Sequence, residues 1–105
     1  MKYLFDTRGR HVANLVNNQL HAPTGQNIGH RMQEGAFFID MRGCYLGEII
    51  YENRLVRRRS SPYGSTNFGS YGNYGNVGNY GNPGNHGSIG SIAGFEDIPA
   101  ELLKP

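Results

Sequence analysis

The 105-residue chain has no tryptophan, a single cysteine and no apolar run near the ~20 residues a membrane helix requires. One cysteine, Cys44, excludes an intrachain disulfide framework. The start Met is followed at once by Asp6, Arg8 and Arg10 rather than an apolar core. A cleaved secretory signal is therefore not expected, and the default location is the cytoplasm, with no membrane partner. Charge is missing from a whole stretch: residues 60–95 contain no Asp, Glu, Lys or Arg. Residues 1–59 hold nine Lys/Arg against five Asp/Glu, a net of +4, and residues 96–105 hold one against three, a net of −2. The total of +2 is too small for the concentrated basic face of nucleic-acid binders. Hydrophobic residues make up only 37%, which suits one small domain with an appendage.

Signatures of chemistry are equally scarce. His11, His21, His30 and His86 lack metal-ligand spacing with one another and with Cys44, so neither a metal nor another cofactor is expected. Cys44 directly follows Gly43 and reads as a partly buried residue opening a strand, not as a nucleophile. A phosphate-cradling glycine loop needs a strand-to-helix context and usually a lysine, and neither accompanies the glycines here. No catalytic residues emerge, and the chain does not read as an enzyme.

What the chain does have is glycine, sixteen residues of it, half in one array. From Gly69 to Ile92 every third residue is glycine: GSY-GNY-GNV-GNY-GNP-GNH-GSI-GSI. A strict period of three suits a polyproline II-like backbone with glycine along one edge, where something packs too closely for a Cβ. The other edges are polar (Ser70, Asn73, Asn76, Asn79, Asn82, Asn85, Ser88, Ser91) and largely apolar or aromatic (Tyr71, Tyr74, Val77, Tyr80, Pro83, His86, Ile89, Ile92). At ~3.1 Å per residue the array would reach about 75 Å, far beyond a small domain. The expectation is that it projects, or packs against other copies along the edge of Gly69, Gly72, Gly75, Gly78, Gly81, Gly84, Gly87 and Gly90, with Tyr71, Tyr74 and Tyr80 beside it.

Residues 1–59 repeat a turn. Asp6-Thr7-Arg8-Gly9, Ala22-Pro23-Thr24-Gly25 and Asp40-Met41-Arg42-Gly43 fit a type I turn closed by a left-handed glycine. Pro23 presets the φ that Asp favours by hydrogen bonding in the other two copies. Between them lie Asn17-Asn18, Gln33-Glu34-Gly35 and Glu52-Asn53, so the segment reads as a meander of short strands near 2–6, 10–16, 19–22, 26–32, 36–40, 44–51 and 54–58. The fold class is all-β: a β-hairpin repeat domain (1–59), a Gly-Asn-X segment (60–92) and a tail (93–105). In that tail Asp97 would cap a short helical turn docking Ile98, Leu102 and Leu103. Ala13, Gly29 and Gly47 recur mid-strand, where close packing against a neighbouring aromatic accounts for their size; the alternative is a close approach to a ligand or another chain.

The combination YLFD-TRG-RHVANLVNNQLHAPTGQNIGH, FFIDMRGCYLGEI and the NYGN triplets resembles the four-fold beta flower family. The resemblance covers most of the chain and implies β-hairpins in approximate four-fold symmetry, with no established activity. A fourth hairpin would start near Leu55-Val56-Arg57, where the Asp-x-x-Gly signature is missing.

Asn14, His30 and Glu48 occupy one register in successive repeats, so a pseudo-axis would bring them into a polar ring for a small ligand; otherwise they face water. Arg57-Arg58-Arg59 ahead of the uncharged array reads first as a solvated face or a contact with the acidic tail of a neighbour, and otherwise as a weak form of a single-strand nucleic-acid signal. The primary functional expectation is a non-enzymatic, self-assembling structural or protein-interaction module, a homo-oligomer joined through the triplets. The alternatives are a glycan- or surface-binding module using the Tyr/Asn edges, and a low-complexity RNA-binding or condensing protein.

Overall fold

A computed structural model describes residues 1–32, 37–60, 66–69 and 72–104. The Asp-x-x-Gly frames form as their residues dictate. The Asp6 carboxylate accepts the backbone N–H groups of Arg8 and Arg10, each at 2.9 Å, and Asp40 does the same for Arg42 and Cys44 at 2.9 and 3.0 Å. Gly9, Gly25 and Gly43 close the turns at φ +86°, +102° and +89°, donating to Asp6, Ala22 and Asp40 carbonyls respectively at 3.1, 2.8 and 3.1 Å. The register then slips once in each of these hairpins, between Leu4/Phe5, Leu20/His21 and Phe38/Ile39. That is the bulge expected of a three-residue loop with a left-handed glycine.

The turns connect strands β1 (Lys2–Phe5), β2 (His11–Val16), β3 (Gln19–His21), β4 (Asn27–Arg31), β5 (Phe38–Asp40), β6 (Tyr45–Ile50) and β7 (Arg54–Arg58). At the opposite end, Asn17 and Asn18 both take positive φ, 51° and 64°, the primed turn their tolerance predicts. The equivalent turn between β6 and β7 is centred on Tyr51 and Glu52, at φ 48° and 72°, one residue earlier than expected. The Gln33-Glu34-Gly35 turn lies outside the described residues.

Each strand pairs antiparallel with the next, and β7 returns to β1 through a parallel contact, Phe5↔Arg54, that closes a seven-stranded barrel. The buried Arg54 side chain reinforces the seam by donating to the Asp6 carbonyl at 3.0 Å. An eighth strand, β8 (Phe95–Asp97), pairs antiparallel with β7. β7 and β8 thus form the fourth hairpin, with residues 59–94 replacing the tight Asp-x-x-Gly turn. The tail is a strand of the barrel sheet, so a sheet confined to 1–59 is incomplete. The chain after β8 makes a 3-10 turn over Ala100–Leu103 without a side-chain cap. Ile98 enters the core, with Leu102 and Leu103 against it.

The core joins Leu4, Ala13, Leu20, Ile28, Phe38, Leu46, Leu55 and Ile98. Three cross-strand pairs oppose large to small: Leu4↔Ala13, Leu20↔Gly29 and Phe38↔Gly47. The expected aromatic neighbour is not what keeps the second member small. A Cβ on Gly29 would lie 2.7 Å from the Ile39 carbonyl oxygen, and one on Gly47 2.6 Å from Ile98 Cδ1 while overlapping the Val56 carbonyl. Backbone and aliphatic atoms of the next strand fill the space.

A candidate recognition belt and its cleft

Replacing the fourth turn frees one segment to reach the other three, and it visits each in reverse order. The backbone N–H of Phe68 donates to the Gly43 carbonyl at 2.9 Å, that of Val77 to Gly25 at 2.8 Å and that of His86 to Gly9 at 2.8 Å. The step between anchors is nine residues, three triplets for each hairpin. Between anchors the belt is held by Asn27 Oδ1, which accepts the Tyr74 N–H at 3.1 Å, and by the Tyr3 hydroxyl, which donates to the Tyr80 carbonyl at 2.7 Å. At the far end the Thr7 carbonyl accepts Ile89 N–H at 2.8 Å. Asp97 then receives both the N–H and the hydroxyl of Thr7, at 2.8 and 2.9 Å, tying β8 to the first turn. Ring contacts seat the belt: His86 stacks on Phe5 at 4.7 Å, Tyr74 meets His30 edge-on at 5.1 Å, and Phe68 packs on Phe37 at 5.4 Å.

This arrangement corrects the expectation of a projecting array. The segment lies on its own barrel, and the radius of gyration is 12.8 Å, which matches the ~13 Å of a compact chain of this length. It also corrects the reason for the glycines. Among the described residues, none beyond its chain neighbours comes within 4 Å of a Cβ built on any of the eight triplet glycines. Five of them, Gly69, Gly75, Gly81, Gly84 and Gly90, instead have φ between +72° and +92°, outside the polyproline II region. The segment is therefore not one uniform three-fold helix. Asparagine explains the frame. Asn67, Asn73, Asn79 and Asn82 each accept the N–H of the glycine two residues on, at 2.7 to 2.8 Å, and Ser88 does so for Gly90 at 3.4 Å. These are Asx and Ser turns whose third residue needs a left-handed backbone.

The close approach belongs to the barrel turns. A Cβ on Gly9 or Gly25 would overlap the carbonyl oxygen of His86 or Val77, and one on Gly43 would overlap Gly69. The turns that Asp6, Pro23 and Asp40 help to form thus present Gly9, Gly25 and Gly43 as the landing sites of the belt.

Asn14, His30 and Glu48 sit beside the core residues Ala13, Gly29 and Gly47, hence on the opposite face of their strands. Each has its own hydrogen-bond partners: Asn14 Oδ1 meets His11 Nε2 at 2.6 Å, His30 Nδ1 meets Gln19 Oε1, and Glu48 accepts from the Tyr45 hydroxyl at 2.8 Å and Arg58 Nε at 2.6 Å. Asn14 and His30 are buried, at 0% and 1% exposure, and so do not face water. Burial lowers the His30 pKa from its ordinary value. The Tyr45 hydroxyl is pushed up to about 12, first by burial and further by Glu48, with Arg58 opposing.

Cys44 is exposed rather than partly buried, and bridges to Asn67 of the belt. The arginine run is partly spent on packing: Arg58 pairs with Glu48 and lies over the Phe95 ring, and Arg59 Nε donates to the Phe95 carbonyl at 3.3 Å. Tyr74 and Tyr80 remain 64% and 42% exposed; Tyr71 lies outside the described residues. Among the described residues no cluster of His, Cys, Asp or Glu forms a metal-binding group, and no helix is long and apolar enough to cross a membrane.

Between belt and barrel lies a cleft of about 470 Å³, lined by Arg10, His11, Thr24, Asn79, Asn82 and Asn85 among others. None of the described lining residues is acidic. Nothing in the sequence marked Arg10, His11 or Thr24 for it, because belt and hairpins meet through backbone bonds that no side-chain pattern announces. Comparison with protein-family models, curated proteins and solved structures finds no match to the chain.

Proposed function

We propose that the chain is a non-enzymatic, self-associating interaction module whose contact surface is the outer edge of the triplet belt. The observation that carries this reading is the state of Gly72, Gly78 and Gly87. Their φ lies outside the left-handed region, and among the described residues none but their own chain neighbours approaches within 4 Å of a would-be Cβ. Conformation explains the other five triplet glycines; nothing among the described residues requires glycine at these three, and a second chain approaching closely would do so. The absence of charge from residues 60–95 removes the repulsion that otherwise separates like surfaces. Anchoring at three turns means that little ordering entropy remains to be lost on association.

Sedimentation of the full chain up to millimolar concentration tests the reading. It predicts a species heavier than one copy, and a chain with Gly72→Ala, Gly78→Ala and Gly87→Ala that stays single with an unchanged melting temperature. A single-copy wild type at the highest concentration, or undiminished association of the triple variant, would contradict it. A second reading, recognition of glycan by the belt, is favoured by the exposed Tyr74 and Tyr80 set among asparagines. Membership of the four-fold beta flower family is proposed on the quoted residues; four hairpins about one core support it.

A further inference from the structure

We propose that the cleft between belt and barrel binds a carboxylate-bearing sugar of the uronic-acid type. This gives a site and a ligand class to the glycan reading and rests on that reading, but not on self-association. The warrant is a set of donors left over after the chain's own hydrogen bonds are made. The side-chain oxygens of Asn79 and Asn82 are already committed, accepting the N–H groups of Gly81 and Gly84 at 2.8 Å each. Among the described residues no protein acceptor engages their Nδ2 groups, so the amides offer donors to whatever enters. Arg10 gives only its Nε to Asp6, at 2.8 Å, and its side chain is 61% exposed, leaving the outer guanidinium edge for a ligand.

With no acidic residue among the described lining residues, the cleft presents the amide donors of Asn79 and Asn82 and the Arg10 cation, the complement of carboxylate and hydroxyl oxygens, beside Thr24 and Asn85, which can donate or accept. Its size falls within the range of small-molecule sites. Behind it, Asn14 is fully buried, bonded through Oδ1 to the lining His11, while its Nδ2 has no hydrogen-bond partner among the described residues. Through His11, Asn14 holds one lining side chain in place. A sugar fits better than a bare anion because the donors are spread along the belt over Asn79 and Asn82 rather than gathered on Arg10.

The test is a titration of the full-length protein with tri-galacturonate, followed by backbone and side-chain amide NMR, with neutral tri-galactose and tri-glutamate as comparisons. Saturable shifts are expected at Arg10, Thr24, Asn79 and Asn82, with tri-galactose at least about tenfold weaker because it lacks the charge for Arg10. Asn79→Asp with Asn82→Asp keeps the oxygen that each turn needs and replaces the donor with an anion. This variant is expected to keep the protein's spectrum elsewhere and to lose at least about thirtyfold in affinity. Absence of shifts with tri-galacturonate, equal affinity of the double variant, or equally tight tri-glutamate would each overturn the proposal. Association is read by mass and binding by these amides, so failure of either is seen separately.

Discussion

Glycine plays two separate roles here, and substitution distinguishes them. Gly25 has φ +102° and abuts the Val77 carbonyl, so Gly25→Ala combines left-handed strain of about 1–3 kcal/mol with a lost belt anchor. We expect a melting temperature lower by at least about 4 °C, together with faster exchange of the Val77 amide. An unchanged melting temperature would show that the belt does not lie on that turn. Tyr51 is the reverse case: a bulky residue at φ 48° with 68% of its surface exposed. Tyr51→Asn should stabilise the fold by about 0.5–1 kcal/mol, since Asn tolerates that backbone and little packing is lost; a lower urea midpoint would mean that the ring is held by contacts.

His30 supplies a pH dependence. Its folded-state pKa lies below the ordinary ~6.5, so near that pH the unfolded chain binds more protons and stability falls as the solution is acidified through 6.5. The urea midpoint should decline less steeply from pH 8 to pH 5 in His30→Gln than in the wild type, and parallel curves would refute this.

At the scale of elements, the controlling length is nine residues. Phe68, Val77 and His86 share the frame Asn-X-Gly, and their spacing matches one barrel turn per three triplets. Inserting one Gly-Asn-Tyr triplet between Val77 and His86 preserves composition and period yet puts the wrong residue over Gly9. The expectation is loss of protection at His86 with the Phe68 and Val77 anchors intact, and retention of all three would show that the belt is not in register. The strands were legible because alternation and turn chemistry act locally: Asp6, Pro23, Asp40 and Asn17-Asn18 each determine their own turn. The belt was not, because the same glycine period serves a packed edge and a chain of Asx turns equally well. Only the partners distinguish them, and these are backbone carbonyls some 25 to 77 positions away in sequence.

For the whole molecule, the fold depends on both ends of the chain. Phe5 closes the barrel onto Arg54, while β8 supplies the second strand of the fourth hairpin and leads Ile98 into the core against Gly47. A chain ending at Arg59 loses that strand and its apolar plug, so it should lack a cooperative thermal transition; a sharp transition near that of the full chain would restore residues 1–59 as an independent domain. The missing Asp-x-x-Gly near Leu55 was a clue in plain view. The fourth turn had been lengthened to 36 residues, and the sequence after it had to return as a strand. Phe95-Glu96-Asp97 is too short and too charged to announce that from alternation alone.

Amide hydrogen exchange across residues 66–95 of the full-length protein addresses the central claim most directly, namely that the triplet segment is a belt locked onto the glycine turns. The prediction is slow exchange at Phe68, Val77 and His86, nine residues apart, and at Tyr74 and Ile89, whose N–H groups Asn27 and Thr7 accept, with the intervening Asn79 and Asn85 amides faster. Uniform exchange at the rate of an unstructured chain would contradict it.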